Sequence, residues 1–426
     1  MNKITRYLQK APDYIFILYA IITAFSTYSS MYAFRKAFAS ATFESEVFFG
    51  IDYKILLILF QAIGYMISKF IGIKFVSELK KNNRAKSIII TILISWIALF
   101  FLAIVPKPYN IAFMFVNGLS LGLVWGFVFS YLEGRIYTEI LGAGLSVSFI
   151  FSSGFVKTIG SYLLNNGVSA IWMPFMTGAI FILPMMLFVY LLNKIPEPNI
   201  IDIENRTVRE AMTGKERWAF FKEFSLGLIL LIFAYVMLTL VRDFRDNFAV
   251  EIWASLGYAN SPELFTNTEI LVSLAVLFFI GILYKIKNNF TALITTHLII
   301  IGGFLLLGIT TLLFSKGIIS PFLWVTFTGM GLYFGYVPYN SMFFDRLIAS
   351  FRKVANVGFL IYLADSFGYL ASNGILIYKN FFTPNISYLN FFINTSYIVS
   401  IVGTILVSIT IIYFYRKHQK LAIDKL

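Results

Sequence analysis

Charged side chains inside long apolar segments are the residues of this sequence with the clearest capacity for chemistry. Arg35 ends the first apolar segment, and Tyr28 and Tyr32 precede it on one helical face. Such a stripe predicts the polar lining of a cavity, since the planar guanidinium of arginine suits carboxylate or phosphate oxygens. The alternative is an interfacial anchor at the outer surface of a membrane.

A second arginine pair lies near the end of a later apolar segment. Arg242 and Arg245 are three residues apart and should share a helix face, whereas Asp243 and Asp246 should point elsewhere. One arginine would meet a substrate opposite Arg35, or both would form internal ion pairs. The sequence repeat described below favours Arg245 as the counterpart of Arg35, and depth in the bilayer favours Arg242.

Two further charges lie in the middle of apolar segments, where a lysine or arginine costs about 2.5–3.5 kcal/mol. Lys157 needs a polar cavity or a partner such as Asp365 or Glu133. Asp365 could carry protons for coupled transport, or it could pair with Lys157 or another cation. Lys54 and Lys69 lie nearer the segment ends, so we expect them to snorkel towards water.

Other polar residues occur at the ends of apolar segments. Four charges at such ends are expected to gate or to lock the two halves of the protein: Glu133, Arg135, Asp345 and Arg346. Aromatic and amide side chains nearby are candidate cavity residues, with simple packing as the alternative: Trp125, Tyr131, Tyr336, Tyr339 and Asn340.

The composition indicates a membrane protein. Of 426 residues, 59% are hydrophobic and only 13% are charged, against roughly 25% charged in soluble domains. There is no cysteine and there are two histidines, so we expect neither a metal site nor a cofactor. The net charge of +13 fits basic loops at a membrane surface better than nucleic-acid binding.

A bilayer-spanning helix needs about 20 mostly apolar residues, and the chain contains twelve such segments. They are Tyr14–Phe34, Tyr53–Val76, Ser87–Val105, Ile111–Leu132, Gly142–Leu164, Ile171–Leu192, Leu226–Phe248, Leu264–Tyr284, Phe290–Phe314, Pro321–Phe344, Val354–Ile377 and Leu389–Tyr415. The predicted fold is therefore an all-α membrane protein. A polar interval divides it into an N-terminal half (1–192), a central loop (193–224) and a C-terminal half (225–426).

The distribution of basic residues predicts the orientation. The loops on the side of the termini hold 23 Lys and Arg residues, and the opposite loops hold 4. Because basic loops stay in the cytoplasm, both termini and the central loop are expected there.

Short motifs recur between the two halves. F-R-x-x-F occurs at Phe34–Phe38 and again at Phe244–Phe248, and S-x-G-aromatic-aliphatic-x-S/T-x-G occurs at Ser152–Gly160 and Ser366–Gly374. The offsets of 210 and 214 residues are nearly equal. Two parallel, pseudo-symmetric six-helix halves follow, an architecture that resembles the major facilitator transporters, whose substrates bind between the halves. Glycines in the fourth and tenth segments should let helices approach closely.

Tyr32-Ala33-Phe34-Arg35-Lys36-Ala37-Phe38 resembles the first-helix motif Y-x-x-R-K-x-F of the organophosphate:phosphate antiporters. That resemblance implies exchange of a phosphate ester for inorganic phosphate, with Arg35 and either Arg242 or Arg245 holding the phosphate. This chain lacks the fifth-helix histidine of those antiporters, and its basic loop 80–86 lacks the usual Asp-Arg pattern. The chain also resembles an uncharacterised bacterial facilitator-like family, which implies location in a bacterial inner membrane.

The sequence is compatible with two functions. The first is a monomeric secondary transporter of a small organic anion, a phosphate ester or carboxylate, working by antiport or by proton symport through Asp365. Its substrate-binding residues would be Arg35, Arg242, Arg245, Tyr28, Tyr32, Lys157, Tyr339 and Asn340. The second is a non-transporting membrane sensor whose central loop contacts a cytoplasmic partner. An enzyme is not expected, because no nucleophile and base are paired in the sequence.

Overall fold

The computed structural model describes residues 3–43, 46–77, 83–200, 202, 214–259, 261–351, 353, 357–383 and 385–423. The helices of the first half are α1 (Lys3–Lys10), α2 (Asp13–Arg35), α3 (Tyr53–Ser77), α4 (Arg84–Ile104), α5 (Ile111–Leu121), α6 (Val124–Phe129), α7 (Thr138–Asn165) and α8 (Met173–Leu192). A 3₁₀ turn (Ala37–Ser40) and a two-stranded hairpin of β1 (Val47–Phe48) and β2 (Ile51–Asp52) connect α2 to α3.

The second half repeats this helical pattern. Its helices are α9 (Gly214–Glu223), α10 (Ser225–Asn247), α11 (Ala249–Ser255), α12 (Glu263–Tyr284), α13 (Asn289–Ser315), α14 (Pro321–Ser341), α15 (Phe343–Ser350), α16 (Val357–Phe381) and α17 (Tyr388–Ile423). Local sequence sets two of the starts. The side chain of Asn288 accepts a bond from the Thr291 amide at 2.9 Å, and Ser320 caps α14 just before Pro321.

Each of the twelve predicted segments contains long helical structure. Within the described residues, eleven spans are long and apolar enough to cross a membrane, with α5 and α6 together forming the fourth. The remaining segment is α14, which has 21 residues and is less apolar because it contains several Gly, Thr and Tyr residues. Most of its side chains are buried against its neighbours α12 and α13, so α14 belongs to the same helical bundle.

The two halves meet through equivalent helices. The fifth long helix, α7, packs against the eighth, α12, and the second, α3, packs against the eleventh, α16. Moving each helix by six places turns the contact of the fifth with the eighth helix into the contact of the eleventh with the second. This is expected for two pseudo-symmetric halves. The exact boundaries 1–192 and 225–426 stay a prediction, since residues 201 and 203–213 of the central loop lie outside the described residues.

Small residues set the helix spacing, as predicted. A Cβ atom on Gly118 of α5 would lie 2.0 Å from the backbone oxygen of Gln61 in α3. A Cβ atom on Gly331 of α14 would lie 2.6 Å from the backbone oxygen of Gly303 in α13. Backbones this close exclude any side chain larger than hydrogen.

The first and last described helices, α1 and α17, reach the same side of the bundle. The hydroxyl of Thr5 donates to the carbonyl of Lys194 at 3.0 Å, and Lys417 Nζ donates to the carbonyl of Glu223 at 2.5 Å. We call this the terminal side, and the face where α2 and α10 end we call the opposite side. The cytoplasmic location of the terminal side stays a prediction.

Candidate functional site

A small polar cavity lies between the two halves, with a volume of about 30 Å³ open to the centres of water molecules. We call it the central cavity. Its lining combines charged and aromatic side chains from both halves: Tyr28, Tyr32, Arg35, Lys36, Tyr65, Lys69, Trp125, Phe149, Arg242, Asp243, Asp246, Tyr333, Tyr336, Asn340, Asp365 and Tyr369. The predicted site residues Tyr28, Tyr32, Arg35, Arg242, Asn340 and Asp365 are therefore brought together.

Arg35 is a buried cation that has no carboxylate partner among the described residues. Its guanidinium carbon lies 3.8 Å from the ring centroid of Tyr65, and Nη2 donates a long hydrogen bond of 3.4 Å to the hydroxyl of Tyr369. Its Nε has no hydrogen-bond partner, and within the described chain no carboxylate oxygen lies within 4.0 Å of the guanidinium. A buried charge in this state is costly unless a partner arrives.

Arg242 is the second arginine of the central cavity. Its guanidinium carbon lies 3.8 Å from the ring centroid of Tyr336, an arrangement that matches Arg35 over Tyr65. Unlike Arg35, it is paired, because its Nη2 lies 2.6 Å from Asp243 Oδ1. The structure thus places Arg242 in the cavity, a choice that the sequence left open.

Arg245 points away from the central cavity. Its Nη1 lies 2.7 Å from Glu269 Oε1, and Nη2 donates to the carbonyl of Val325 at 3.2 Å. The expectation that Asp243 and Asp246 point elsewhere was wrong, because both line the central cavity. Residues four apart differ by only about 40° around a helix, so Asp246 lies closer to the face of Arg242 than Arg245 does.

Lys157 belongs to an ion-pair network that joins the halves on the opposite side. Lys36 Nζ lies 2.6 Å from Asp246 Oδ2 and donates to Asn247 at 2.7 Å, while Lys157 and Ser153 both bind Asp246 Oδ1. The expectation that Lys157 needs a partner is met by Asp246, and not by Asp365 or Glu133, the two examples that the sequence offered. Lys157 is not part of the central cavity lining.

Asp365 forms the charged contact between α16 and α3. Its Oδ2 lies 3.2 Å from Lys69 Nζ, its Oδ1 accepts from the hydroxyl of Tyr235, and Asn340 Nδ2 in turn donates to that hydroxyl at 3.2 Å. The predicted snorkelling of Lys69 was wrong, because Lys69 is only 3% exposed and paired. Lys54 also does not snorkel, since it is equally buried and pairs with Glu251.

Tyr339 does not line the central cavity. Its hydroxyl donates to the carbonyl of Leu231 at 3.3 Å, and its ring stacks on Phe343. Sequence reasoning missed eight residues of the cavity lining: Lys36, Tyr65, Lys69, Phe149, Asp243, Asp246, Tyr333 and Tyr369. Lys69 could have been predicted, because it is a charged residue in an apolar segment. Tyrosines are too common in such segments for the sequence to indicate which of them line a cavity.

The predicted gating residues lie on the terminal side. Arg346 Nη2 lies 2.9 Å from Glu139 Oε2, which joins α15 of the second half to α7 of the first. Arg135 instead binds the carbonyl of Pro196 and lies 3.9 Å from Asp202, so its contacts stay with the first half and the start of the central loop. Glu133 and Asp345 are outside the lining of the central cavity; their roles stay predictions.

Comparison with known proteins places this geometry in context. Residues 37–417 match the profile of a family described as a family of unknown function (DUF5690). The chain belongs to that family. No curated protein matches it. Among solved structures, the chain is similar to a D-xylose-proton symporter, with a TM-score of 0.62 and 14% identity over 92% of this chain and 96% of that one.

At this level of identity the likeness shows the fold. This DUF5690 family member therefore has the major facilitator fold, and the predicted fold class is confirmed. It is a multi-pass membrane protein. The resemblance of residues 32–38 to organophosphate:phosphate antiporters stays a prediction, and Arg35 lies just before the region that the family profile matches.

Proposed function

We propose that this protein is a secondary active transporter of a small organic anion, a phosphate ester or carboxylate. The observation that carries the proposal is the state of Arg35, a cavity cation that is 8% exposed and has no carboxylate within 4.0 Å in the described part of the chain. An anionic substrate would supply the missing negative charge, and it would displace only a long bond to Tyr369.

The other charges of the central cavity support an anion over a neutral solute. Lys69 is paired with Asp365, Arg242 with Asp243, and Asp246 is shared by two lysines. The cavity lining therefore has four cations and three carboxylates, so one positive charge is left over. Tyrosine rings and hydroxyls around Arg35 and Arg242 would pack against and orient the remainder of the substrate.

In alternating access, the ion pairs between the halves would close the cavity on one side at a time. The Arg346–Glu139 pair would close the terminal side, and the Lys36–Asp246–Lys157 network would close the opposite side. Opening either side requires one set to separate while the other stays formed. The α3–α16 and α7–α12 contacts would act as the surfaces on which the halves rock.

Exchange for another anion, such as inorganic phosphate, or symport with protons would drive transport. The likeness to a proton symporter supports the second route, and Asp365 beside Lys69 is one candidate proton carrier. We further propose that the protein acts as a monomer in a bacterial inner membrane with both termini in the cytoplasm, as its basic loops indicate.

The test is a ligand screen followed by uptake measurement with the full-length protein in liposomes. Glucose 6-phosphate, glycerol 3-phosphate, glucuronate and succinate serve as anionic probes, with glucose as the neutral control. We expect an anion, and not glucose, to raise the unfolding temperature and to be taken up. Arg35→Gln should abolish both effects, while Arg416→Gln, at an exposed position of α17, should leave them unchanged.

Retention of anion uptake by Arg35→Gln would overturn the proposed site. A non-transporting sensor is the alternative function, and it predicts anion-dependent stabilisation without any turnover in liposomes.

A further inference from the structure

We infer that Glu269 is the proton-binding site of this transporter. The inference rests on the proposed function and deepens it, since it names the coupling ion and assigns it to a residue outside the central cavity. Glu269 lies on α12 and lines a second cavity together with Lys157, Arg245, Trp253 and Thr268.

Glu269 is a buried carboxylate with one free oxygen. Its Oε1 accepts from Arg245 Nη1 at 2.7 Å, whereas Oε2 is buried without a hydrogen-bond partner, and the residue is 7% exposed. A proton added at Oε2 would break no existing hydrogen bond. It would neutralise the carboxylate and thereby weaken its ion pair with Arg245.

The carboxylates of the central cavity have no oxygen that lacks a partner. Asp243, Asp246 and Asp365 each have partners on both oxygens. A proton on any of them would have to displace a partner from the oxygen that it binds, whereas Oε2 of Glu269 has no partner to displace among the described residues. Glu251 also has an unpartnered oxygen, but it lies on the short helix α11 near the opposite surface.

Glu269 is placed where a change of charge can reach the contact between the halves. Its Cγ lies 2.7 Å from the position of a Cβ on Gly154, so α12 and α7 are in close contact at this level. The charged and titratable groups that face it are Arg245 from α10, Lys157 from α7 and Tyr333 from α14.

Protonation would therefore change the balance of charge around α10. Neutral Glu269 no longer compensates Arg245, which then stands as an uncompensated cation in the cavity that Lys157 also lines. Repulsion between two cations in a poorly hydrated cavity is strong. It would favour separation of α7 from α10 and α12, and hence opening on the opposite side. Return of the proton to water would restore the Arg245–Glu269 pair.

Infrared spectroscopy of the full-length protein in liposomes tests this without a known substrate. On acidification we expect a protonated-carboxyl band that is lost in Glu269→Gln and retained in Glu263→Gln, an exposed position on the same helix. Glu251→Gln should also retain it. Glu269→Asp, which keeps the carboxyl group, should retain the band. A band that persists in Glu269→Gln, or disappears in Glu251→Gln instead, overturns the inference.

Uptake measurements separate this inference from the proposed function. With glucose 6-phosphate as the probe, an inward proton gradient should drive accumulation by the wild type. Glu269→Gln should lose that accumulation but still exchange internal for external probe. If the wild type transports the probe at a rate that does not depend on the proton gradient, the role of Glu269 is overturned, and the proposal of anion transport is unaffected. If no anion is transported at all, the proposed function fails, and the infrared result alone decides whether Glu269 binds a proton.

Discussion

Lys69 Nζ lies 3.2 Å from Asp365 Oδ2, so a buried ion pair joins the second long helix of one half to the fifth long helix of the other. Both side chains are nearly inaccessible, and the Asp365 carboxylate is further held by Tyr235. The pair makes the contact between α3 and α16 dependent on charge.

Removing one member of this pair should destabilise the protein. Lys69→Met or Asp365→Asn leaves an uncompensated buried charge or an unsatisfied partner, with an expected cost of about 3–5 kcal/mol. The double variant Lys69→Met/Asp365→Asn should lose less stability than either single variant. Unfolding in detergent measures this, with Lys107→Met as control, because the Lys107–Glu46 pair, about one-third exposed, should contribute under about 1 kcal/mol. Additive losses in the double variant would contradict the prediction.

The two arginines of the central cavity should matter for anion binding in a way that Arg245 does not. Arg35→Gln and Arg242→Gln each remove a charge-assisted contact of about 1.5–3 kcal/mol, so anion affinity should fall at least about tenfold. Arg245→Gln should change proton coupling while leaving affinity within about threefold, because Arg245 is bound to Glu269 outside the central cavity. Equilibrium binding of the best anion from the screen measures this. Equal losses in all three variants would show that the cavity was misassigned.

Helix approach at Gly118 should tolerate no side chain. Gly118→Ala would bring a Cβ within 2.0 Å of the Gln61 carbonyl and force α3 and α5 apart, at an expected cost of about 1–3 kcal/mol. Gly302→Ala, where nothing lies within 4 Å, should be neutral or slightly stabilising. Thermal unfolding of the two variants side by side provides the comparison. Equal behaviour would mean that the α3–α5 spacing is wrong.

The Arg346–Glu139 pair should control access from the terminal side. The chain has no cysteine, so Asn340→Cys introduces a single thiol into the central cavity. Adding Arg346→Gln removes the bridge between the halves, and a membrane-impermeant thiol reagent on the terminal side should then react severalfold faster.

Lys353→Gln is the matched control for this measurement. Lys353 pairs with Glu223 within the second half, and both side chains are more than a third exposed, so the labelling rate should not change. An unchanged rate in Arg346→Gln would show that this ion pair does not close the terminal side.

The sequence by itself determined the architecture. Composition and run length fixed a bundle of long membrane helices, and each predicted segment contains one, because apolar length is a local property that a bilayer requires. The motif repeat indicated two similar halves, and the equivalent contacts α7–α12 and α3–α16 agree with it. Arg35 with Tyr28 and Tyr32 was also identified from spacing alone, since all three lie on one helix.

Only the tertiary structure decided which charges meet. Arg242, and not Arg245, lines the central cavity, and Lys157 binds Asp246 from the other half of the chain. Lys69 and Lys54 are buried in pairs, although spacing alone favoured snorkelling. The physical reason is that an ion pair depends on how two helices are rotated towards each other, and that rotation is set by packing between segments far apart in sequence. Helical periodicity fixes the face of a residue on its own helix, and the partner across the cavity comes from the fold.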